Sequence, residues 1–212
     1  QIADSTAKNR GNLYIFHLLG QHVAYRDRYP HKRTHFYASD YEERRPELSA
    51  KQRKMVSYYD NAVLYNDSIV DAICHRFDNQ AIVIYMPDHG EECYEENRGI
   101  ICRNHSAKID YGLAKYEFEI PFWIYCTHRY AVRHPQIFKQ IVEARKRPYM
   151  TDALPHLLLY LAGISTPDYC SRYNILSDDY DASRPRLLKG KTDYDKLVPP
   201  AKPANTVSTP FK

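Results

Sequence analysis

The chain has 212 residues, of which 43% are hydrophobic, and its 30 basic and 26 acidic side chains give a formal net charge of +4. That length is enough for one domain with a buried core, and a mild charge spread along the chain does not favour nucleic acid as a partner. No apolar run is long enough to cross a membrane, which takes about 20 residues in a helix.

The first half of the chain alternates between apolar runs and polar stretches. Residues 13–19 are an apolar run that Gly20 ends, which predicts a buried strand, and residues 22–46 predict a long surface loop. Ser49 is suited to cap a helix that continues to about Phe77 with its apolar side chains on one face. Residues 81–86 then predict a second strand.

The second half repeats this alternation. A polar stretch at 87–119 is followed by an apolar run at 120–126, which predicts a third strand. Two more helices are predicted, at 134–146 and 152–162, and the proline-rich residues 197–212 predict a tail. Buried strands alternating with helices are typical of an α/β protein, so we predict a mostly parallel sheet covered by helices.

Five cysteines are present, and none lies in a Cys-x-x-Cys arrangement. Cys93 and Cys102 flank one polar loop. They predict either a disulfide, which would indicate an oxidising compartment, or two free thiols. The odd number leaves at least one sulfur without a partner in the chain.

The most informative motif is an Asp-His-Gly run at the end of the second predicted strand. Asp88 and His89 follow an apolar run directly, and Gly90 allows a sharp turn beside them. In α/β proteins the carboxyl ends of strands open into the crevice that binds ligands. A carboxylate oxygen next to an imidazole nitrogen suits a divalent metal such as zinc, so we predict Asp88 and His89 as metal ligands.

Other histidines are candidates for the same edge of the sheet. His22 follows the first predicted strand just after Gly20, and parallel strands would bring it to the same rim as Asp88 and His89. His17 lies inside that strand and is interpreted as a core histidine. His105 lies in the loop after the Asp-His pair, and that loop can fold back over the rim.

Several motifs occur in an order that resembles a known family. It is the sulfatase-like branch of the alkaline phosphatase superfamily, and more narrowly the periplasmic catalytic domain of lipid A phosphoethanolamine transferases. The motifs are Gly-Gln-His at 20–22, Arg-Tyr-Pro at 28–30, Tyr-Tyr-Asp-Asn at 58–61, Tyr-Asn-Asp at 65–67, Asp-His-Gly-Glu-Glu at 88–92, the loop histidine, Ile-Pro-Phe-Trp-Ile at 120–124, the helix at 152–164 and Asn-Ile-Leu at 174–176.

The resemblance implies metal-dependent transfer of phosphoethanolamine from phosphatidylethanolamine to lipid A or a glycan, through a covalent phospho-threonine. One or two zinc ions would be bound, with Asp88 and His89 as ligands. His22 and His105 would be catalytic residues that contact the phosphate or a second metal. The implied location is the periplasmic face of a bacterial inner membrane, reached through an N-terminal membrane anchor.

The resemblance also implies a partial domain. The family's zinc-binding glutamate and its threonine nucleophile lie on strands that precede everything in this chain, which starts at Gln1 without a methionine. We therefore expect residues 12–180 to be the C-terminal half of the catalytic domain and residues 181–212 to be an extension ending in the tail.

Two alternatives to a transferase stay open. A sulfatase or phosphodiesterase of the same superfamily would use a different nucleophile and transfer the group to water. A non-catalytic module would keep the fold and bind a glycan through the tyrosine-rich loop at 25–41.

Overall fold

The computed structural model describes residues 11–77, 80–104 and 107–197. Within these ranges, no helix is both long enough and apolar enough to span a bilayer. Some sequence predictions lie outside the described residues: the turn at 78–79, His105 and the tail beyond residue 197.

The longest element is helix α1, which spans Ala50–Arg76 and confirms the predicted helix. Its first turn is closed by a capping box. Ser49 Oγ accepts a hydrogen bond from the Gln52 backbone N–H at 3.3 Å, and Gln52 Oε1 accepts one from the Ser49 N–H at 2.9 Å. The predicted loop before α1 contains three single helical turns, Tyr25–Arg28, His31–Arg33 and Ala38–Tyr41. Of these, the first and third pack against α1.

The predicted parallel sheet is wrong for the described residues, whose sheets are small and antiparallel. Strand β1, Ile82–Tyr85, pairs with β4, Trp123–Cys126, so that Tyr85 lies opposite Trp123. Strand β2, Glu92–Cys93, pairs with β3, Ile101–Cys102, also antiparallel. The chain between β1 and β4 is long enough to return in either direction, and an apolar run carries no information about its direction. The prediction therefore had these two strands right and the direction of their pairing wrong.

The predicted strand at 13–19 is also wrong. The segment has no regular secondary structure. Ile15 is 82% exposed, whereas the rings of Tyr14 and Phe16 contact Phe77 at centroid distances of 5.2 and 6.0 Å. A strand needs a hydrogen-bonding partner, and the part of the chain that the structure describes provides none for this segment.

The main core lies between β1, β4 and the C-terminal helices. Helices α3, His128–Arg133, and α4, Pro135–Ala144, follow β4. Helix α5, Leu154–Leu161, follows a single turn at Thr151–Ala153, and Gly163 at φ +65° ends that segment. The buried side chains of this core are those of Ala144, Leu157, Ile175 and Leu176. The two predicted helices are thus confirmed, with α4 starting one residue later than predicted.

The chain between β3 and β4 holds a feature that the sequence did not predict. Helix α2, Tyr111–Leu113, runs directly into one turn of π-helix at Ala114–Phe118, which we call the π-turn. The Glu119 N–H donates to the Ala114 carbonyl at 3.1 Å, which is the i to i+5 spacing of a π-helix. Such single turns are frequent at functional sites.

The C-terminal extension contains regular secondary structure between residues 187 and 197. Strands β5, Leu187–Leu188, and β6, Thr192–Asp193, form a hairpin that continues into helix α6, Tyr194–Leu197. Arg186 and Asp195 form an ion pair across this C-terminal hairpin. The Arg186 guanidinium, by hydrogen bonding, holds the pKa of Asp195 below its usual range.

Cys93 and Cys102 are free thiols in the structure and do not form a disulfide. All five cysteines are unpaired, and Cys93 is buried. Ladder pairing places Cys102 opposite Glu92, and Ile101 opposite Cys93.

Candidate functional site

Asp88 and His89, the predicted metal ligands, contact each other just after β1. Asp88 Oδ2 and His89 Nε2 are 3.7 Å apart; the Asp88 side chain is 89% exposed, and that of His89 is 18% exposed. His89 Nδ1 lies 2.7 Å from the Gly90 carbonyl oxygen. A carbonyl only accepts, so Nδ1 is the donor in this bond and Nε2 is the ring nitrogen that lies beside Asp88. The pair thus offers one nitrogen and one oxygen donor to a cation.

Gly90 is required because the backbone comes very close at this turn. A Cβ atom on Gly90 would lie 2.2 Å from the Tyr116 carbonyl oxygen in the π-turn. The Gly90 N–H donates to the Glu117 carbonyl at 3.0 Å. The turn that carries Asp88 and His89 is therefore fixed against the π-turn, and only glycine fits there.

The two carboxylates that follow have structural partners. Glu91 accepts a hydrogen bond from the Tyr25 hydroxyl at 2.6 Å, and burial raises the pKa of Tyr25 well above its usual range. Glu92 is fully buried and accepts two hydrogen bonds from the Arg98 guanidinium, at 2.8 and 3.2 Å. Glu91 and Glu92 thus serve the fold, and Asp88 and His89 are the side chains of this motif that can bind a ligand.

His22 lies on an exposed turn, with its Nδ1 2.6 Å from the Val23 carbonyl oxygen. Its segment is tied to the site indirectly. A Cβ on Gly20 would lie 3.9 Å from Asn66 Oδ1, and Asn66 Nδ2 donates to the Tyr85 hydroxyl at 3.2 Å, at the end of β1. Among the described residues, no hydrogen bond or ion pair joins His22 to the Asp-His pair, and its catalytic role stays a prediction.

The donor set within the described residues is incomplete. Residues 11–77, 80–104 and 107–197 hold no group of three His, Cys, Asp or Glu side chains able to bind a metal. Zinc takes four ligands, so Asp88 and His89 fit two of its positions by their chemistry.

A cavity of about 840 Å³ opens beside the Asp-His pair, and we call it the site cavity. Its acidic lining comprises Asp88, Glu117 and Glu119. Its basic lining comes from distant parts of the chain: Arg103, Arg145, Arg147, Arg186 and Lys189. Some of these side chains bind other parts of the protein: Arg147 donates to the Ile175 and Ser177 carbonyls, Arg186 pairs with Asp195, and Lys189 Nζ donates to the Ala107 carbonyl at 3.4 Å.

Aromatic side chains complete the lining of the site cavity. Phe122, Trp123, Tyr149 and Tyr194 contribute to it. The Tyr149 hydroxyl is buried without a hydrogen-bond partner in the described part of the chain, and burial raises the pKa of Tyr149. A buried hydroxyl of this kind is available to a polar ligand group.

The sequence did not predict the contributions of the π-turn and the C-terminal hairpin to this site. Both come from segments that carry no motif, and their position depends on tertiary packing. The only available signal for the hairpin is the pattern of Arg186, Lys189 and Tyr194, which is too weak to indicate a site.

Comparisons with known proteins identify the family. The family model described as Sulfatase matches residues 2–164. The phosphoethanolamine transferase EptC of Escherichia coli O18:K1:H7 is 29% identical over 193 residues, covering 87% of this chain and 32% of the relative.

Solved structures show the same relationship. The crystal structure of the C-terminal periplasmic domain of EptC from Escherichia coli superposes with a TM-score of 0.66 at 25% identity, over 84% of this chain and 50% of that one. The same domain in complex with Zn gives a TM-score of 0.65 at 24% identity, over the same shares of the two chains. The chain thus spans about a third of the curated relative and half of the solved domain. It belongs to the sulfatase family and is homologous to the periplasmic catalytic domains of phosphoethanolamine transferases.

Proposed function

We propose that this chain supplies the Asp-His part of a zinc site in an enzyme that transfers phosphoethanolamine from phosphatidylethanolamine to lipid A or a glycan. The observation that carries the proposal is the 3.7 Å contact between Asp88 Oδ2 and His89 Nε2, with His89 Nδ1 bonded to the Gly90 carbonyl. Homology to phosphoethanolamine transferases supports the reaction, and the charge of the site cavity supports a phosphate-bearing substrate.

Asp88 and His89 would hold the zinc ion. When bound, zinc lowers the pKa of a hydroxyl nucleophile and draws charge from a phosphoryl oxygen. The nucleophile in this proposal is a threonine. The family resemblance implies this threonine and a glutamate ligand, both on segments that precede the residues described above. His22 and His105 would contact the phosphoryl group, as general acids or as donors to its oxygens.

The site cavity would bind the acceptor. Arg103 and Arg145 carry positive charge that can oppose the charges of a phosphate, and arginine suits phosphate because its planar fork donates two parallel hydrogen bonds. Trp123 and Tyr149 offer apolar faces with polar edges, which suit a sugar or a lipid headgroup. We place the enzyme at the periplasmic face of a bacterial inner membrane, because the homologous domains are periplasmic.

The test uses the natural protein that contains this chain, assayed with fluorescent phosphatidylethanolamine and lipid A in detergent micelles. We expect labelled lipid A to accumulate, to stop after chelation of zinc and to resume when zinc is added back. Release of phosphoethanolamine to water without transfer would favour a hydrolase of the sulfatase family. Zinc binding without any turnover of the donor would favour a non-catalytic module.

A further inference from the structure

Glu117 connects two segments of the candidate site. It lies in the π-turn and is only 3% exposed. Its backbone carbonyl accepts a hydrogen bond from the Gly90 N–H at 3.0 Å, and its side-chain Oε1 accepts one from the Asn104 N–H at 2.8 Å. One residue thus holds the turn after β1 with its backbone and the segment after β3 with its carboxylate.

The two segments that Glu117 holds both carry groups of the site cavity. Asp88 and His89 precede Gly90, and Arg103 precedes Asn104. The site cavity is lined by all three of these side chains and by Glu117 itself. The distance between the Asp-His pair and the Arg103 backbone is therefore set through Glu117.

The π-turn is itself anchored on both sides, so Glu117 is a rigid connection. Asp110 Oδ1 accepts a hydrogen bond from the Leu113 N–H at 2.8 Å at the start of α2. The Glu119 N–H donates to the Ala114 carbonyl at 3.1 Å and closes the π-turn at its other end. A buried carboxylate in such a setting keeps its partner only if the backbone around it stays in place.

We propose that Glu117 is a positioning residue that holds Arg103 at a fixed place relative to the Asp88–His89 pair, so that the guanidinium meets a substrate phosphate bound in the site cavity. This inference rests on the proposed transfer function. Its physical basis is orientation: reacting groups displaced by about 1 Å lose as much as a hundredfold in rate. If the Glu117 carboxylate had only a structural role, replacing it would lower stability without lowering the transfer rate of the folded enzyme.

The first experiment measures amide hydrogen exchange in the natural protein that contains this chain. Glu117→Met keeps the volume and removes the acceptor, whereas Glu117→Gln keeps an acceptor oxygen. We expect the Asn104 amide to exchange about tenfold faster or more in E117M and to stay protected in E117Q. The Gly90 amide is expected to stay protected in both variants, because its acceptor is the backbone carbonyl.

The second experiment measures transfer by the natural protein. We expect kcat/KM to fall about tenfold or more in E117M and to remain within about threefold in E117Q, with zinc content unchanged in both. The matched control is Glu96→Met, which removes an exposed carboxylate that pairs with the same π-turn and should alter neither readout.

The outcomes separate the two proposals. Absence of transfer by the wild-type protein would overturn the proposed function and leave the exchange result to be judged alone. Normal Asn104 protection or normal kcat/KM in E117M would overturn the positioning role, and so would equal loss of protection at Gly90 and Asn104. If E117M does not fold, the amide exchange of E117Q is the test. Loss of protection at the Asn104 amide in E117Q would contradict the inference, and retained protection would support it.

Discussion

The guanidinium of Arg98 makes two hydrogen bonds to the carboxylate of Glu92, at 2.8 and 3.2 Å. The Glu92 side chain is fully buried, and that of Arg98 is 22% exposed. This ion pair closes the chain between β2 and β3, immediately after the candidate metal ligands. A buried charge is tolerated only with such a partner, so the pair stabilises the segment that follows the Asp-His turn.

Replacing Arg98 should destabilise the fold more than replacing an exposed partner elsewhere. In Arg98→Met the Glu92 carboxylate stays buried without its cation, which we expect to lower the free energy of unfolding by about 2 kcal/mol. The double variant E92Q/R98M should recover most of that loss, because no buried charge remains. Urea unfolding followed by circular dichroism measures both changes. Arg172→Met, at an exposed ion pair with Asp181, is the control and should change stability little.

Gly90→Ala should disrupt the site through a backbone clash. The added methyl group would lie 2.2 Å from the Tyr116 carbonyl, so the turn or the π-turn must move. We expect a loss of about 2 kcal/mol in stability together with weaker zinc binding. Gly11→Ala is the matched control, because among the described residues no atom beyond its chain neighbours lies within 4 Å of its added Cβ. Its stability should stay within about 0.5 kcal/mol of wild type, and equal effects at both glycines would argue against a close approach at Gly90.

Cys93 should resist alkylation in the folded chain. Burial raises the pKa of its thiol to about 12 from an ordinary value of 9.0. At pH 8 only about one molecule in ten thousand would carry the reactive thiolate. Because the folded pKa is raised, the stability that the neutral thiol contributes is complete below pH 9 and is lost as the pH rises from there towards 12.

The check for Cys93 is iodoacetamide labelling at pH 8, read by mass spectrometry with and without urea. We expect labelling at Cys93 only in the unfolded chain. Fast labelling in the folded chain would mean that this thiol is accessible and ionised.

Local features of the fold could be predicted from the sequence because their causes are local. The capping box at Ser49, the turn at Gly163 and the strands at β1 and β4 each depend on residues close together in the chain. Pairing direction and partner choice depend on residues far apart. The segment at 13–19 has the composition of a strand, and nothing within it shows whether a partner is present.

The candidate site divides in the same way. Asp88 and His89 could be predicted because two adjacent residues after a strand end up together whatever the rest of the chain does. Glu117 could not, because its role depends on contacts with Gly90 and Asn104 that only the folded chain creates. The basic lining of the site cavity is drawn from segments up to about 90 residues apart for the same reason.

Asp88 and His89 should each be needed for zinc, with little effect on the fold. Asp88→Asn removes the charge of an exposed carboxylate, and His89→Ala removes the Nε2 donor. We expect each change to weaken zinc binding by more than the 10–100-fold that loss of an outer-shell partner typically costs. Zinc content of the purified natural protein and competition with a chromogenic chelator measure the effect, and thermal unfolding should be nearly unchanged for D88N.

The controls for this test are an exposed histidine and an exposed aspartate on other elements, away from the site. His128 is exposed and follows β4, whose antiparallel pairing with β1 places it beyond the opposite end of the strand pair from His89. Asp67 is exposed on α1. His128→Ala and Asp67→Asn should leave zinc affinity and transfer activity unchanged. If D88N and H89A bound zinc as tightly as these controls, Asp88 and His89 would not be zinc ligands. The metal would then have to be bound by other residues, because removing a ligand must lower the zinc affinity.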